Sequence, residues 1–424
     1  MGKKWIKNFD ELATSENRKL ALMIAQTGLD AIDTEKVIYD SVQLKNNILS
    51  VNNQSFDLSR FKKIKVVGFG KASCSAALAL EKILGSKIKQ GSVIGLQKTA
   101  CNYIQTFSGT HPRPSRLNIV AGKKIFEIAN QSDENDLIIA IISGGGSALL
   151  CYSESECVQG QILYDAFLKC GKTIRQINAV RKHLSVLKGG GLAQIAYPAT
   201  VISLIFSDVP GDNFQDVASG PTYKDESTVE DARKIILENN LGEFDLIETP
   251  KEDKYFEKVY NFILVSNKTA VEAMERKSRE LGFATNVVST ELYDQTEVVL
   301  KKIFSAKGDN TIVLAAGEPS IEVKNTEGHG GRNFHMGLQA VKEELLDQNS
   351  VFLSFASDGL DNNDGAGVIV DQNIFKKIAE LGLNVDDYLS RFDSYSFFEK
   401  CGSIIITGPT GANVSDLMIL LNRK

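Results

Sequence analysis

Much of what narrows the reading is missing from the sequence. No run reaches the about 18 uncharged apolar residues of a membrane-spanning helix. Positive charge is not in excess: 48 Lys and Arg face 53 Asp and Glu, a formal net charge of −5. That balance argues against nucleic acid as the main partner, because a phosphate backbone asks for a basic face. The six cysteines (Cys74, Cys101, Cys151, Cys157, Cys170 and Cys401) are scattered, with no C-x-x-C, and none of the four histidines joins them at zinc-ligand spacing. Neither a disulfide framework nor a zinc site is expected, and reduced, mostly buried thiols suit a cytoplasmic protein. Cys74, in the first turns of an expected helix, reads as an ordinary core thiol rather than an activated one. The opening Met1-Gly2-Lys3-Lys4-Trp5-Ile6 is basic but leads into Asn8, Asp10 and Glu11. It fits neither a secretory signal nor, with Ile6 where Ser or Thr is needed, a myristoylation site.

Several catalytic signatures are absent too. There is no Walker A loop, no G-x-G-x-x-G followed by an acid about 20 residues on, no G-x-S-x-G elbow, and no protein-kinase H-R-D and D-F-G pair. What remains is an ordinary globular composition, 43% hydrophobic and 24% charged, in a chain of 424 residues, long enough for two domains.

Residues 10–45 show helical spacing. Leu12, Leu20, Met23, Ile24, Leu29 and Ile32 form one stripe, and Val37, Ile38 and Val42 continue it in a second piece. Short apolar runs, each closed by Gly, Ser or Asp and followed by a helical pattern, then recur: 64–67, 92–96, 137–142, 201–206, 262–265, 285–288, 312–315, 352–356 and 404–407. Such alternation predicts α/β layers on largely parallel sheets. Charged residues crowd between about 225 and 258, which predicts a boundary near 240–255, with domains over 1–240 and 255–424 and a last helix able to pack back on the first. In such sheets ligands lie beyond the carboxyl ends of strands, so the loops there carry the search.

Val66-Val67-Gly68-Phe69-Gly70-Lys71 leaves a strand for a helix, and is either a tight structural turn or an anion site using the helix N-terminus and Lys71. Ser143-Gly144-Gly145-Gly146-Ser147 repeats the device with three glycines, whose entropic cost is best explained by a phosphate or carboxylate approaching the backbone. The helical segment from Asn178 puts Arg181 and Lys182, with Lys188 at the margin, on one face with no acid inside the segment, which suits a polyanion. Ser207-Asp208 ends a strand shortly before Asp212, and Asp208 is as readily a turn residue as a Mg²⁺ carrier or proton acceptor. Gly317-Glu318 ends another strand, and the glycine run Gly328 to Gly331 delivers Arg332 and Asn333 into a helix, with His329 reading as a loop histidine. Asp358, Asp361 and Asp364 make an acid-rich loop without EF-hand spacing, able to meet Mg²⁺ or hydroxyls. The last junction, Thr407 to Asp416, reads as strand, loop and helix, with Asn413 or Ser415 as a cap.

Taken together, VVGFGKAS, ISGGGSALL, INAVRKHLSVLKGGGLA, SDVPGD with ASGPT, AAGEPSIEV with GGRN, ASDGLDNNDGAG and TGPTGANVSDL resemble the glycerate 2-kinase family with its MOFRL-type C-terminal domain. The match runs from about 10 to 420, in order, and a set of motifs in series is far more specific than any one. The resemblance implies a Rossmann-like N-terminal domain, a second α/β domain and an active site in a cleft between them. It implies transfer of the γ-phosphoryl group of ATP to the 2-hydroxyl of D-glycerate with Mg²⁺, by a monomer or homodimer. It places the family's essential lysine on Lys71 and its essential arginine on Arg332.

Roles follow from what phosphoryl transfer needs, which is positioning and neutralised charge. Arg332 would clamp the carboxylate or the moving phosphoryl group, and Lys71 would stabilise charge at the reacting centre. Gly68, Gly70, Ser143, Gly144, Gly145, Gly146, Ser147, Arg181, Lys182 and Lys188 would cradle nucleotide phosphates. Ser207, Glu318, Asn333 and Asp358 would meet substrate, and Asp208 or Asp358 would orient the hydroxyl or carry the metal. The chain departs from the family at Ser115 of His111-Pro112-Arg113-Pro114-Ser115, at Ser320, in the D-N-N-D loop, and at Phe334-His335 where Gln-Glu is common. The last change lies beside Arg332 and bears on which acid is recognised. Alternative readings are a kinase of a related hydroxy acid, an NAD(P)H-dependent hydroxypyruvate or tartronate semialdehyde reductase, and a phosphometabolite-binding regulator without turnover.

Overall fold

The computed structural model describes residues 3–170, 174–211, 213–323 and 328–424; the expected acid Asp212 and the side chain of Cys170 lie outside these. The chain forms two compact units, one of Thr34–Leu264 and one of Met1–Asp33 with Val265–Lys424.

The Thr34–Leu264 unit begins with the helix Thr34–Ser41 and a small antiparallel sheet of β1 (Val42–Lys45), β2 (Ile48–Val51) and β3 (Gln54–Asp57). Helix was expected as far as 45. Asn46 and Asn47 instead both take positive φ, 49° and 65°, the geometry of a two-residue hairpin turn, and turn the chain back at Lys45. Its main sheet contains β4 (Lys63–Phe69), β5 (Ile88–Gly95), β6 (Gln105–Ser108), β7 (Asp136–Ser143), β8 (Thr200–Phe206) and β9 (Val259–Val265), ordered β6-β5-β4-β7-β8-β9. The pairs β5–β6, β4–β5, β4–β7 and β7–β8 are parallel. Counted from β4 this is the doubly wound order, with its switch point between β4 and β7. All eight residues of β7, Asp-Leu-Ile-Ile-Ala-Ile-Ile-Ser, are buried, as a strand covered on both faces requires. Helices Ser73–Leu84 and Arg116–Asn130 pack on β4 and β5, and the core gathers Val67, Phe69, Ile94, Ile125 and Ile138.

The other unit holds β10 (Ala284–Leu292), β11 (Thr311–Gly317), β12 (Ser350–Ala356), β13 (Gly367–Asp371), β14 (Ile404–Ile405) and β15 (Asp416–Asn422), ordered β10-β11-β15-β12-β13-β14. Among its named strands β10–β11 is the parallel pair; the pairs made by β15, β12, β13 and β14 are antiparallel. The expectation of largely parallel sheets therefore holds for one unit and not for the other.

Two differences share a cause. The C-terminal segment expected as a helix is β15, a strand between β11 and β12 with every residue buried. Its Leu-Met-Ile-Leu-Leu run suits a helix by propensity, but burial on both faces favours a central strand. The N-terminal helix Glu16–Ala31, expected with the first half of the chain, packs on helix Asn267–Glu280, β12 and β15. Its stripe of Ala21, Leu22, Ile24, Ala25 and Leu29 is buried there, and Arg18 pairs with Asp371 at 3.4 Å. The charged stretch expected to hold the boundary lies inside the Thr34–Leu264 unit and includes the helix Val229–Glu238; the chain passes to the other unit at Val265, the last residue of β9.

No helix of the described residues is long and apolar enough to cross a membrane. The described thiols Cys74, Cys101, Cys151, Cys157 and Cys401 are free. Burial pushes that of Cys74 up to about 12, as befits a core residue.

Candidate active-site residues

In the Thr34–Leu264 unit, the candidates gather at the switch point, where the turns after β4 and β7 meet. Gly70 has φ +120°, and a Cβ there would lie 2.2 Å from Ser143 Oγ, so only glycine lets the turns touch. Lys71 N–H donates to Gly144 O at 2.8 Å and Ala72 N–H to Ser143 Oγ at 3.1 Å. These groups, expected to face an anion at the helix N-terminus, are thus committed to the second turn. Gly68 is likewise a packing residue: a Cβ would press on Ile141 and Val93 at 3.1 Å.

The three glycines have a different reason. A Cβ on Gly144 would sit 2.1 Å from the carboxylate of Asp208, and one on Gly145 would meet Lys71 Cγ and the His111 ring at 3.1 Å. Bare backbone thus brings Asp208, Lys71 and His111 around one turn, which none of the three motifs reveals alone. His111, just before a cis proline, is not among the expected site residues. Ser147 Oγ shares a hydrogen bond with Ser219 Oγ at 2.9 Å. The hydroxyl of Ser207, expected on substrate, is turned back on Val209 N–H and O.

The cationic face is not unneutralised. Acids distant in sequence reach it: Lys182 lies 3.3 Å from Asp216 and 3.2 Å from Asp225, and Lys188 lies 2.5 Å from Glu156, all largely buried. Lys182 and Lys188 are therefore members of buried ion pairs rather than a phosphate cradle. Arg181 differs: burial pulls its pKa down to about 10, and it has no ion pair among the described residues.

In the other unit, Arg332 opens helix Arg332–Lys342 at the ends of three neighbouring strands, since Asp416 is in register with both Gly317 and Ala356. Arg332 Nη1 is 3.3 Å from Asp416 Oδ2 and 3.9 Å from Glu318 Oε2. Asp361 caps the helix, accepting from Asn333 N–H at 2.8 Å and Phe334 N–H at 3.1 Å. Asn333, expected on substrate, is fully buried: its Nδ2 donates to Asp416 Oδ1 at 3.0 Å and its Oδ1 accepts from Ser354 Oγ at 2.6 Å. It is a strut for Asp416.

Charge in this cluster is strongly coupled. Burial, then the neighbouring Asp416, pushes Asp361 up to about 7; burial pushes Asp416 up to about 6, against the pull of Arg332. Burial lowers the pKa of Arg332, but Asp416, Glu318, Asp361 and Asp358 outweigh it and hold the guanidinium above its ordinary value. Asp416 was not among the expected site residues, and Asp361 entered only as one acid of the loop that also holds Asp358 and Asp364. Asp361 sat in a loop where Asp358 looked equivalent, and Asp416 was read as the start of a helix.

The substitutions beside Arg332 are packing changes. Phe334 is fully buried and meets Tyr395 edge-on at 5.3 Å, while His335 stacks on Phe392 at 5.1 Å, its pKa lowered by burial. Asp358 receives Leu360 N–H at 3.2 Å. Among the described residues no group of three or more His, Cys, Asp or Glu could hold a metal ion.

Comparison with known proteins gives these positions a context. Residues 20–246 match a domain of unknown function, DUF4147, and residues 311–416 match the MOFRL family. The chain is 32% identical to a glycerate 2-kinase of Pyrococcus horikoshii, covering 95% of this chain and 97% of that one. It is 30% identical to a D-glycerate 2-kinase of Thermotoga maritima, again over 95% and 97%. A crystal structure of a glycerate kinase from Thermotoga maritima superposes with a TM-score of 0.82, covering 95% of this chain and 99% of that one. With likeness over nearly the whole length, in sequence and in fold, the chain belongs to the glycerate 2-kinase family.

Proposed function

We propose that this chain transfers the γ-phosphoryl group of ATP to the 2-hydroxyl of D-glycerate, giving 2-phosphoglycerate and ADP. The observation that carries the reading is Arg332, a cation held at the ends of β11, β12 and β15 by buried carboxylates. A guanidinium fixed in this way suits a carboxylate or a phosphoryl oxygen, and needs no reorganisation as charge develops. Lys71, set against the glycine turn opposite Asp208, stabilises the oxygens of the transferring group. Asp208 orients the 2-hydroxyl and accepts its proton as the new O–P bond forms and the bond to ADP breaks.

Mg²⁺ usually binds through one or two carboxylates together with phosphate oxygens and water. With Asp208 assigned to the hydroxyl, Asp358, a partly exposed carboxylate just after β12, would be the one to hold the ion. When bound, the ion neutralises phosphate charge. The test is ADP release measured across small hydroxy acids. Turnover with D-glycerate and little with its analogues supports the reading; ADP formed with another acid and none with glycerate moves it to that acid, and no ADP with any acid refutes it.

A further inference from the structure

The three cations around helix Ile174–Lys182 are treated unequally by the fold. Lys182 and Lys188 each have a buried acid, while Arg181 has neither an ion pair nor a hydrogen bond among the described residues. A guanidinium largely withdrawn from water without a counter-charge is costly, and folds pair such groups or leave room for what pairs them. Room is present. Arg181 lines a cavity of about 30 Å³ together with Ser147, Leu150, Glu156, Gly160 and Lys188. At roughly 10–15 Å³ for each water this holds about two waters, or one compact tetrahedral group in their place.

The lining favours an anion. Glu156 is spoken for, 2.5 Å from Lys188 and accepting from Tyr152 N–H at 2.8 Å, so Arg181 keeps the net positive charge. Ser147 stands on the glycine turn that also meets Asp208 and Lys71, and so places the cavity next to the residues assigned to chemistry. We infer that this cavity is a phosphate subsite, with Arg181 supplying the charge, for one phosphate group whose remaining atoms stay outside. Arg181 is thus a binding residue, in place of the three-cation cradle expected from the sequence. The anion site stands on the geometry alone; its assignment to a nucleotide rests on the phosphotransfer reading.

The experiment is calorimetric titration and thermal melting of the full chain with inorganic phosphate, ATP and D-glycerate, using Arg181→Met, Arg181→Lys and Gly160→Leu. A side chain at 160 enters open space, since no atom lies within 4 Å of a Cβ there. Arg181→Met is expected to weaken ATP or phosphate binding about ten- to hundredfold, the scale of a charged hydrogen bond. Arg181→Lys should recover part, and Gly160→Leu should weaken binding with the arginine intact. If Arg181→Met fails to fold, the other two variants carry the comparison. Binding of ATP but not phosphate assigns the group to the nucleotide; binding of phosphate alone assigns it to the free ion. Wild-type affinity in all three variants overturns the proposal, as does binding of D-glycerate alone that requires Arg181. Because the readout is binding, an inactive wild type that still binds phosphate through Arg181 refutes the kinase reading and leaves this site in place.

Discussion

The surroundings of Lys71 and of Arg332 are built by opposite means. Around Lys71 the device is absence of side chains: Gly70, Gly144 and Gly145 let Lys71, Asp208 and His111 close on one turn. Around Arg332 the device is opposite charge: the buried Asp416 and the exposed Glu318 come from two strand ends to one guanidinium, and Asp361 acts on it from a neighbouring loop. The first strategy fixes position through sterics. The second fixes position through electrostatics, and carries a protonation equilibrium with it.

That contrast can be broken at several points. The largest effect is expected at the two cations themselves. Arg332→Ala should cost about 10³- to 10⁵-fold in turnover, on the scale of an arginine that stabilises transferring phosphoryl charge. Lys71→Ala should fall heavily as well, and near-normal steady-state rates for either variant would remove that residue from the chemistry. Next, Lys182→Met should unfold the protein more easily, by about 1–3 kcal/mol, because it removes the cation shared by Asp216 and Asp225. Denaturant melting that shows no loss would contradict its structural role.

Asp416→Asn tests the electrostatic device more gently. It keeps the acceptor for Asn333 but removes the charge holding Arg332, so kcat/KM for glycerate should fall about tenfold to a hundredfold with melting little changed. An unaltered kcat/KM would show that Arg332 is held by something else. The smallest effect concerns pH. Asp361 is raised in the folded state to about 7 and Asp416 to about 6, so the native protein binds more protons than the unfolded chain between roughly pH 4 and 7. The stability these groups contribute is full below their unfolded pKa and is lost as pH rises through the folded values. The slope is at most about 1.4 kcal/mol per pH unit for each proton. Asp361→Asn should flatten it, and an unchanged slope in melting across pH 5 to 8 would place the proton elsewhere.

The same contrast explains what the sequence disclosed. The parallel sheet was legible because β7 is an unbroken apolar strand and its turns are punctuated by glycine, a local signal. Lys71 and Arg332 stood in such turns and could be singled out. The partners that hold Arg332 could not, because Asp361 and Asp416 acquire meaning only when β15 is inserted between β11 and β12. That insertion was itself illegible: Leu417 to Leu421 carries helix-forming side chains, and only burial on both faces makes them a strand. The cationic helix failed for the related reason that its counter-charges, Glu156, Asp216 and Asp225, lie outside it. At Gly68 and Gly70, where the sequence left a tight turn and an anion site equally open, the space saved is filled by Ile141, Val93 and Ser143.

The most direct test of the account is the phosphorus NMR spectrum of the product formed from ATP and D-glycerate. The expected result is a phosphate ester coupled to the single proton on C2, appearing together with ADP. A phosphorus coupled to the two C3 protons, or ATP consumed with inorganic phosphate as the only new signal, would contradict transfer to the 2-hydroxyl.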